Sequence, residues 1–295
     1  MSSETGTARG VKGYPAAMQR LWLITNPASG STSDAVLKEY DELLVTLGCV
    51  EAGRTIFPGA ALPDAKTLAA ANADTLVIFG GDGTINAATA IADDWDGVCL
   101  VLPGGTMNMF AKSLHGDAAW DDILTAAAQA PKQRMPLAVA GEARAISGVI
   151  AGPVSAWVHA RERVRSGAWG GVRRALSFAW RKSFVRSVRI VGDPVHTGRR
   201  RAIFIAPLED ALEVASVGMI SGLSAAILGG KWLLGNWRDD PDITVSRCQT
   251  LTLSANLTVS ALFDGEPVKL RSPAMINFSQ TRLQFLKTLA AVPKV

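Results

Sequence analysis

Cysteine and histidine are scarce in this chain of 295 residues, with three of each. Cys49, Cys99 and Cys248 lie far apart and form no CxxC pair. That argues against a disulfide framework and fits reduced, mostly buried thiols in a cytosolic protein. His115, His159 and His196 are equally scattered, so no metal-ligand spacing appears and zinc chemistry is disfavoured. Long hydrophobic runs are also missing, although mean hydropathy is high at +0.20. The longest uncharged stretch, Val214 to Gly230, has 17 residues, four of them Gly and three Ser. It is at the short edge of a membrane span and too glycine-rich, and it reads as buried strand plus helix. The stretch MSSETGTARGVKGYPAAM holds no apolar core of a signal peptide, and residues 1–19 are expected to be a loose tail. There is no GxxxxGK[ST] phosphate loop. GDGTIN gives GxGxxN where a dinucleotide fold needs GxGxxG, and no acidic ribose partner follows, which disfavours a dehydrogenase.

What is present is an ample core. Hydrophobic residues make up 48% and charged residues 19%, enough for one large domain or two ordinary ones. Residues 20–133 alternate apolar runs and helical patterns. RLWLIT, VEAGRTIF, TLVIF and VCLVL read as strands; 34–47, PDAKTLAAANA, TINAATAIA, MFAKSL and 118–129 read as helices. Strands that are apolar throughout and separated by helices predict a parallel sheet covered on both faces, with ligands beyond its C-terminal strand ends. After Pro131 the pattern changes. Residues 134–140 and 143–151 predict a strand pair, and SFVRSVRIV and RRRAIFIAPL flank GDPVHTG as a hairpin. Basic residues 155–183 and residues 223–235 predict helices. Short alternating runs from DITVSR to AMINF complete a β-rich second domain, 134–280, before a final segment, 281–295.

Three loops follow three predicted strands. Asn26-Pro27-Ala28-Ser29-Gly30 offers side-chain hydrogen bonds and a glycine that lets backbone amides approach an anion. Gly80-Gly81-Asp82-Gly83-Thr84 permits positive φ and close ligand approach, then opens a helix whose first amides favour phosphate. Leu102-Pro103-Gly104-Gly105-Thr106-Met107-Asn108 repeats the Gly-Gly-x-helix arrangement. Each alone fits an ordinary turn or cap. Together on one rim they predict a cradle of amides for a polyphosphate, with Asp82 serving a metal or a proton transfer. Further on, Leu262-Phe263-Asp264-Gly265-Glu266 reads locally as a hairpin turn.

These motifs, in order, resemble the diacylglycerol kinase catalytic-domain family, which includes bacterial soluble lipid kinases and sphingosine and ceramide kinases. The family pattern is Asn-Pro-x-Ser-Gly, Gly-Gly-Asp-Gly-Thr, Leu-Pro-x-Gly-Thr-x-Asn and a late Asp-Gly-Glu. Gly-Gly-Asp-Gly-Thr alone is shared with NAD kinases and relatives of phosphofructokinase. The resemblance implies an α/β nucleotide-binding domain with a parallel sheet, a β-sandwich-like second domain, and a last strand returning to the first. It implies ATP and Mg²⁺ as cofactors. Asn26, Ser29, Gly30, Gly80, Gly81, Gly83, Thr84, Gly105, Thr106 and Asn108 would hold nucleotide, and Thr55 of TIFPG is added by similarity. The base would be Glu266, Asp264 or Asp82. Two departures stand out. Met109 replaces a common Asp, and Ala211 stands where a Gly is expected beside Asp210, the match to a structural magnesium ligand.

The activity expected is transfer of a phosphoryl group from ATP to a diacylglycerol-like or sphingoid-like lipid. The alternatives are a soluble NAD kinase-like enzyme and a catalytically silent lipid- or nucleotide-binding protein. Residues 161–201 hold 12 of the 30 Lys and Arg against two acids, with tryptophans beside them. That predicts peripheral docking on an anionic membrane surface, on the cytoplasmic side, rather than nucleic-acid binding.

Overall fold

The computed structural model of the chain describes residues 18–27, 32–105, 108–152, 187–218 and 243–289. Two compact units result. One takes the chain up to Arg134 together with the residues from Arg282 onward; the other is Met135–Thr281.

In the first unit, β1 (Arg20–Thr25), β2 (Val50–Ile56), β3 (Thr75–Gly80) and β4 (Val98–Pro103) pair in the order β2-β1-β3-β4, all parallel. Every residue of β3 is buried, as its unbroken apolar run requires. Helices α1 (Asp34–Thr46), α2 (Ala65–Ala70), α3 (Asp82–Ile91), α4 (Met109–His115) and α5 (Trp120–Ala126) lie between and after these strands. Ser33 caps α1 by accepting from the Val36 amide, and Asp64 caps α2 by accepting from Thr67. One core joins Leu21 and Leu23, Val77 and Phe79, and Leu100 and Leu102 to Tyr40 and Leu44 of α1 and Ile123 and Leu124 of α5. The Asp74 carboxylate accepts from the Met18, Gln19 and Arg20 amides, which ties the start of β1 to the start of β3. The chain leaves β1 for β2 on one side and returns to β3 on the other. The sheet therefore reverses its order between the C-terminal ends of β1 and β3, where ligands bind in open α/β sheets.

The second unit is strand-built among its described residues. β7 (Val149–Ala151), β10 (Ala202–Pro207), β11 (Leu212–Val217), β12 (Ile243–Cys248), β14 (Thr258–Phe263) and β15 (Glu266–Arg271) form one antiparallel sheet in the order β12-β11-β10-β7-β14-β15. β5 (Lys132–Ala140), β6 (Ala143–Ala145), β8 (Val188–Val191), β9 (Arg199–Arg200), β13 (Thr250–Ser254) and the first residues of β16 (Ala274–Leu286) pair separately. Residues from both sets, among them Val149, Ile203 and Phe263 and also Ile190, Leu253 and Ile276, share one core. That is the sandwich arrangement expected. β16 is a single 13-residue strand whose last residues pair in parallel with β4, Gln284 beside Val98 and Phe285 beside Cys99.

Three strand expectations change. Residues 143–151 form two strands, not one, because the Ile146–Gly148 amides point to a side chain and not to a ladder. The predicted hairpin pairs only two residues on each arm before the chain crosses at Arg201 into the other sheet. The AMINF run is the start of a strand more than twice its length. The predicted helices over 155–183 and 223–235 lie outside the described residues. Cys49 and Cys99 are buried and Cys248 is half-buried, all with free thiols. Burial raises the thiol pKa of each.

Candidate active site

The rim at the C-terminal ends of β1, β3 and β4 is assembled by loop-to-loop bonds. Asn26, just after β1, donates from Nδ2 to the Thr84 hydroxyl in the first turn of α3, at 2.9 Å. Thr32 returns a bond from its hydroxyl to the Asn26 carbonyl at 3.0 Å. These bonds tie the two sides of the switch point together. Thr84 is buried, so its hydroxyl acts as an anchor at this position. Ser29 and Gly30 lie outside the described residues.

The loops after β3 and β4 touch backbone to backbone. Gly80 pairs with Pro103, and the Gly104 amide donates to the Gly80 carbonyl at 3.2 Å. A Cβ on Gly104 would lie 2.7 Å from the Gly80 nitrogen, and one on Gly105 would lie 2.7 Å from the Gly81 Cα. This corrects the reason for these glycines. None of Gly80, Gly81, Gly83, Gly104 or Gly105 has positive φ; Gly104 and Gly105 are small because two loops meet there. Asn108 completes the fold of the third loop. It adopts the left-handed conformation at φ 49°, which Asn tolerates, and its Oδ1 accepts from the Gly105 amide at 2.6 Å. Thr106 lies outside the described residues.

Gly83 differs from its neighbours. It is exposed in the first turn of α3, and a Cβ there would meet nothing within 4 Å. The helix starts from Gly81, which has no side chain to bond the first amides. The first amides of a helix have no intrahelical partner, and helix N-termini in general favour anions. Asp82, the first residue of α3, accepts on Oδ1 from the Phe110 amide at 3.0 Å. Its carboxylate is thereby aimed across the β3–β4 loops to the start of α4. Sequence reasoning missed Phe110, because a backbone donor leaves no residue-type signal.

Thr55 is the penultimate residue of β2, beside Ile24 of β1; it is buried, and its hydroxyl accepts from the Trp22 indole at 3.0 Å. In the second unit, Asp264 and Gly265 are the two turn residues of the β14–β15 hairpin, both with positive φ. The Asp264 carboxylate accepts from Ile146 at 2.8 Å, Ser147 at 2.8 Å and Gly148 at 2.9 Å. Glu266 follows with an exposed side chain. Asp210 is exposed in the turn between β10 and β11, where its carbonyl accepts from the Gln249 side chain. Among the described residues no group of three or more His, Cys, Asp or Glu is placed to hold a metal ion. A magnesium ion held chiefly by nucleotide phosphates needs only one or two protein carboxylates, and Asp82 fits that demand.

Residues 20–140 match the diacylglycerol kinase catalytic domain. The family resemblance read from the motifs therefore holds over the segment that carries the first three of them. Two solved structures from Bacillus anthracis str. Sterne share the fold across the chain. One, described as a diacylglycerol kinase, has a TM-score of 0.67 at 17% identity, covering 94% of this chain and 100% of its own. The other, provisionally described as a diacylglycerol kinase, has a TM-score of 0.69 at 18% identity with the same coverage. No curated protein matches the sequence. Both solved structures thus share this chain's fold over 94% of its length. No helix among the described residues is long and apolar enough to cross a membrane.

Proposed function

We propose that this protein is an ATP-dependent lipid kinase that phosphorylates a hydroxyl of a diacylglycerol-like or sphingoid-like lipid. The observation that carries this reading is the tied rim. Three loops are bonded to one another at the switch point of the sheet, with a carboxylate fixed at the helix start, inside the segment that matches the kinase family. In this reading the first amides of α3 and the open side of Gly83 receive phosphate oxygens, and Asn26 and Asn108 keep the loops in place. Asp82 holds the magnesium–nucleotide complex or shares in proton transfer. Bound magnesium would supply neutralisation of charge spread over the phosphoryl oxygens. The chain's own part is to position and to offer preorganised donors.

Of the two carboxylates in the late turn, Asp264 is committed to three backbone amides, and Glu266 is the one with an exposed head. Glu266 is therefore the base we assign for the acceptor hydroxyl. Asp210 is left as a weak site for a structural magnesium. Docking on an anionic membrane at the cytoplasmic face would use the basic stretch 157–201. Of this stretch Arg189 and Arg199 are described and exposed.

A labelled-ATP assay against diacylglycerol, monoacylglycerol, sphingosine, ceramide and phosphatidylglycerol tests the reading. Transfer to one of these lipids, dependent on magnesium, is expected. Transfer to NAD without lipid would replace it with the soluble-kinase reading. Nucleotide binding with no transfer in any arm would favour a silent binder, the reading that Met109 in place of the family's Asp supports.

A further inference from the structure

Helix α4 is seven residues long, about 10 Å at 1.5 Å per residue. A helix of two turns does not hold its own orientation; its ends must be fixed by the rest of the fold. The residue before it, Asn108, makes no side-chain capping bond to it; Asn108 Oδ1 accepts from Gly105 instead. The Phe110 amide instead goes to Asp82 Oδ1 at 3.0 Å. The start of α4 and the carboxylate of Asp82 therefore fix each other.

The other end of α4 is held by the returning C-terminal segment. His115, 3% exposed, places Nδ1 2.9 Å from the Thr288 hydroxyl, and the Thr288 amide donates to the same nitrogen at 3.3 Å. The Leu289 amide donates to the Leu114 carbonyl at 3.0 Å. Gly116, which ends the helix at φ 68°, leaves just enough room for the Leu289 side chain, 3.3 Å from where a Cβ would stand. Along the helix, Phe110 packs edge-on to Phe285 of β16, with ring centroids 5.4 Å apart and planes at 81°. Lys287 is anchored separately by its amide to the Pro131 carbonyl at 3.0 Å. All of these residues belong to the first unit.

We infer that the His115–Thr288 latch is a positioning device for Asp82, acting through α4 as a short rigid rod. The proposal rests on the kinase reading for its effect on turnover, but not for its geometry. His115 and Thr288 are positioning residues, bonded to each other at the far end of α4 from Asp82. Burial keeps His115 neutral near pH 7, so Nδ1 remains an acceptor for the Thr288 amide there.

The test uses the full chain with His115→Ala, Thr288→Val and the conservative His115→Asn, whose Oδ1 can stand in for Nδ1. Two quantities are read: hydrogen exchange at the Phe110 amide, and kcat against KM for ATP. In the Ala and Val variants the Phe110 amide should exchange at least about ten-fold faster. Their kcat should fall about 10- to 100-fold while KM for ATP changes less than about three-fold. His115→Asn should restore most of both. If Phe110 protection and kcat stay at wild-type values in both variants, the latch only stabilises the fold and the proposal is overturned, whatever happens to the melting temperature. If wild type phosphorylates no lipid, the kinase reading fails while Phe110 exchange still decides whether the latch positions Asp82.

Discussion

Asp82-Gly83 and Asp264-Gly265 are the same dipeptide put to different uses. Both carboxylates accept backbone amides from a distant segment, Phe110 for Asp82 and Ile146 to Gly148 for Asp264. Asp264 sits in a hairpin turn with φ 47°, spends both oxygens on three amides, and thereby splits what would be one strand into β6 and β7. Asp82 sits in helical backbone at a sheet rim, beside a glycine that faces open space. A carboxylate that closes a loop is a structural part; in the proposed reading Asp82, at a helix start on the sheet rim, also serves the chemistry. The two should separate cleanly when each is altered.

The largest effect expected is on turnover. Asp82→Asn keeps the size and the acceptor for Phe110 but removes the charge. Phosphate transfer should fall by a factor of about 10³ or more, with unfolding hardly changed. Glu266→Gln should behave alike, since its side chain is exposed and little of the fold rests on it. Wild-type turnover in Asp82→Asn would remove this residue from the mechanism.

Asp264→Ala should show the opposite balance. It strips partners from three amides and puts Ala in a left-handed position, for a loss of about 2–4 kcal/mol by denaturant unfolding. Asp264→Asn, tolerant of positive φ and still an acceptor, should cost less than half of that. Should Asp264→Ala unfold like wild type yet lose all turnover, the roles assigned to Asp264 and Glu266 would have to be exchanged.

Acid should act on both units. Among the described residues each buries one histidine. His115 is pushed down to about 4 by burial, against the backbone of Val101. His196, bonded to the Ser216 and Ser246 hydroxyls at 2.6 and 2.8 Å, is also lowered, by burial first, with Asp193 opposing and Arg200 reinforcing. For His115 the unfolded chain takes a proton near pH 6.5 and the folded chain only near 4. Between those values the unfolded state binds more protons, so stability falls on acidification by up to about 1.4 kcal/mol per pH unit and is regained above pH 6.5. Unfolding of wild type and His115→Asn at pH 7, 6 and 5 should show a shallower slope for the variant.

Much of this was legible in the sequence because apolar runs and Gly-rich turns report directly on buried strands and their ends. TLVIF and VCLVL could only be strands covered on both faces, and the loops after them fell on one rim. The parts that were not legible are those carried by backbone groups and by distance along the chain. Nothing in Phe110 announces that its amide serves Asp82. The run from Ala143 to Ala151 alternates like one strand, and only a carboxylate more than a hundred residues away breaks it. Nothing in TIFPG announces that the Thr55 hydroxyl is engaged by Trp22 of the neighbouring strand, a partner 33 residues distant. His115 gave no spacing signal, since a latch of one histidine and one threonine has none.

The smallest effect expected is also the most discriminating. Gly104 and Gly105 are required by the packing of two loops, so an alanine there would strike backbone. At Gly83 no such reason exists: the backbone is helical and a methyl group would meet nothing within 4 Å. A glycine in a helical turn costs roughly 0.5–1 kcal/mol relative to alanine. Gly83→Ala should therefore raise unfolding stability by about that amount. If the open side of Gly83 is where a phosphate approaches, the same methyl group must intrude on it. KM for ATP should then rise while stability improves, a pairing that no purely structural role for the glycine produces. A variant that is more stable and binds nucleotide as before would show that this glycine keeps no space for a ligand. Asp82 would then be the only part of that turn that sets it apart from the hairpin at Asp264.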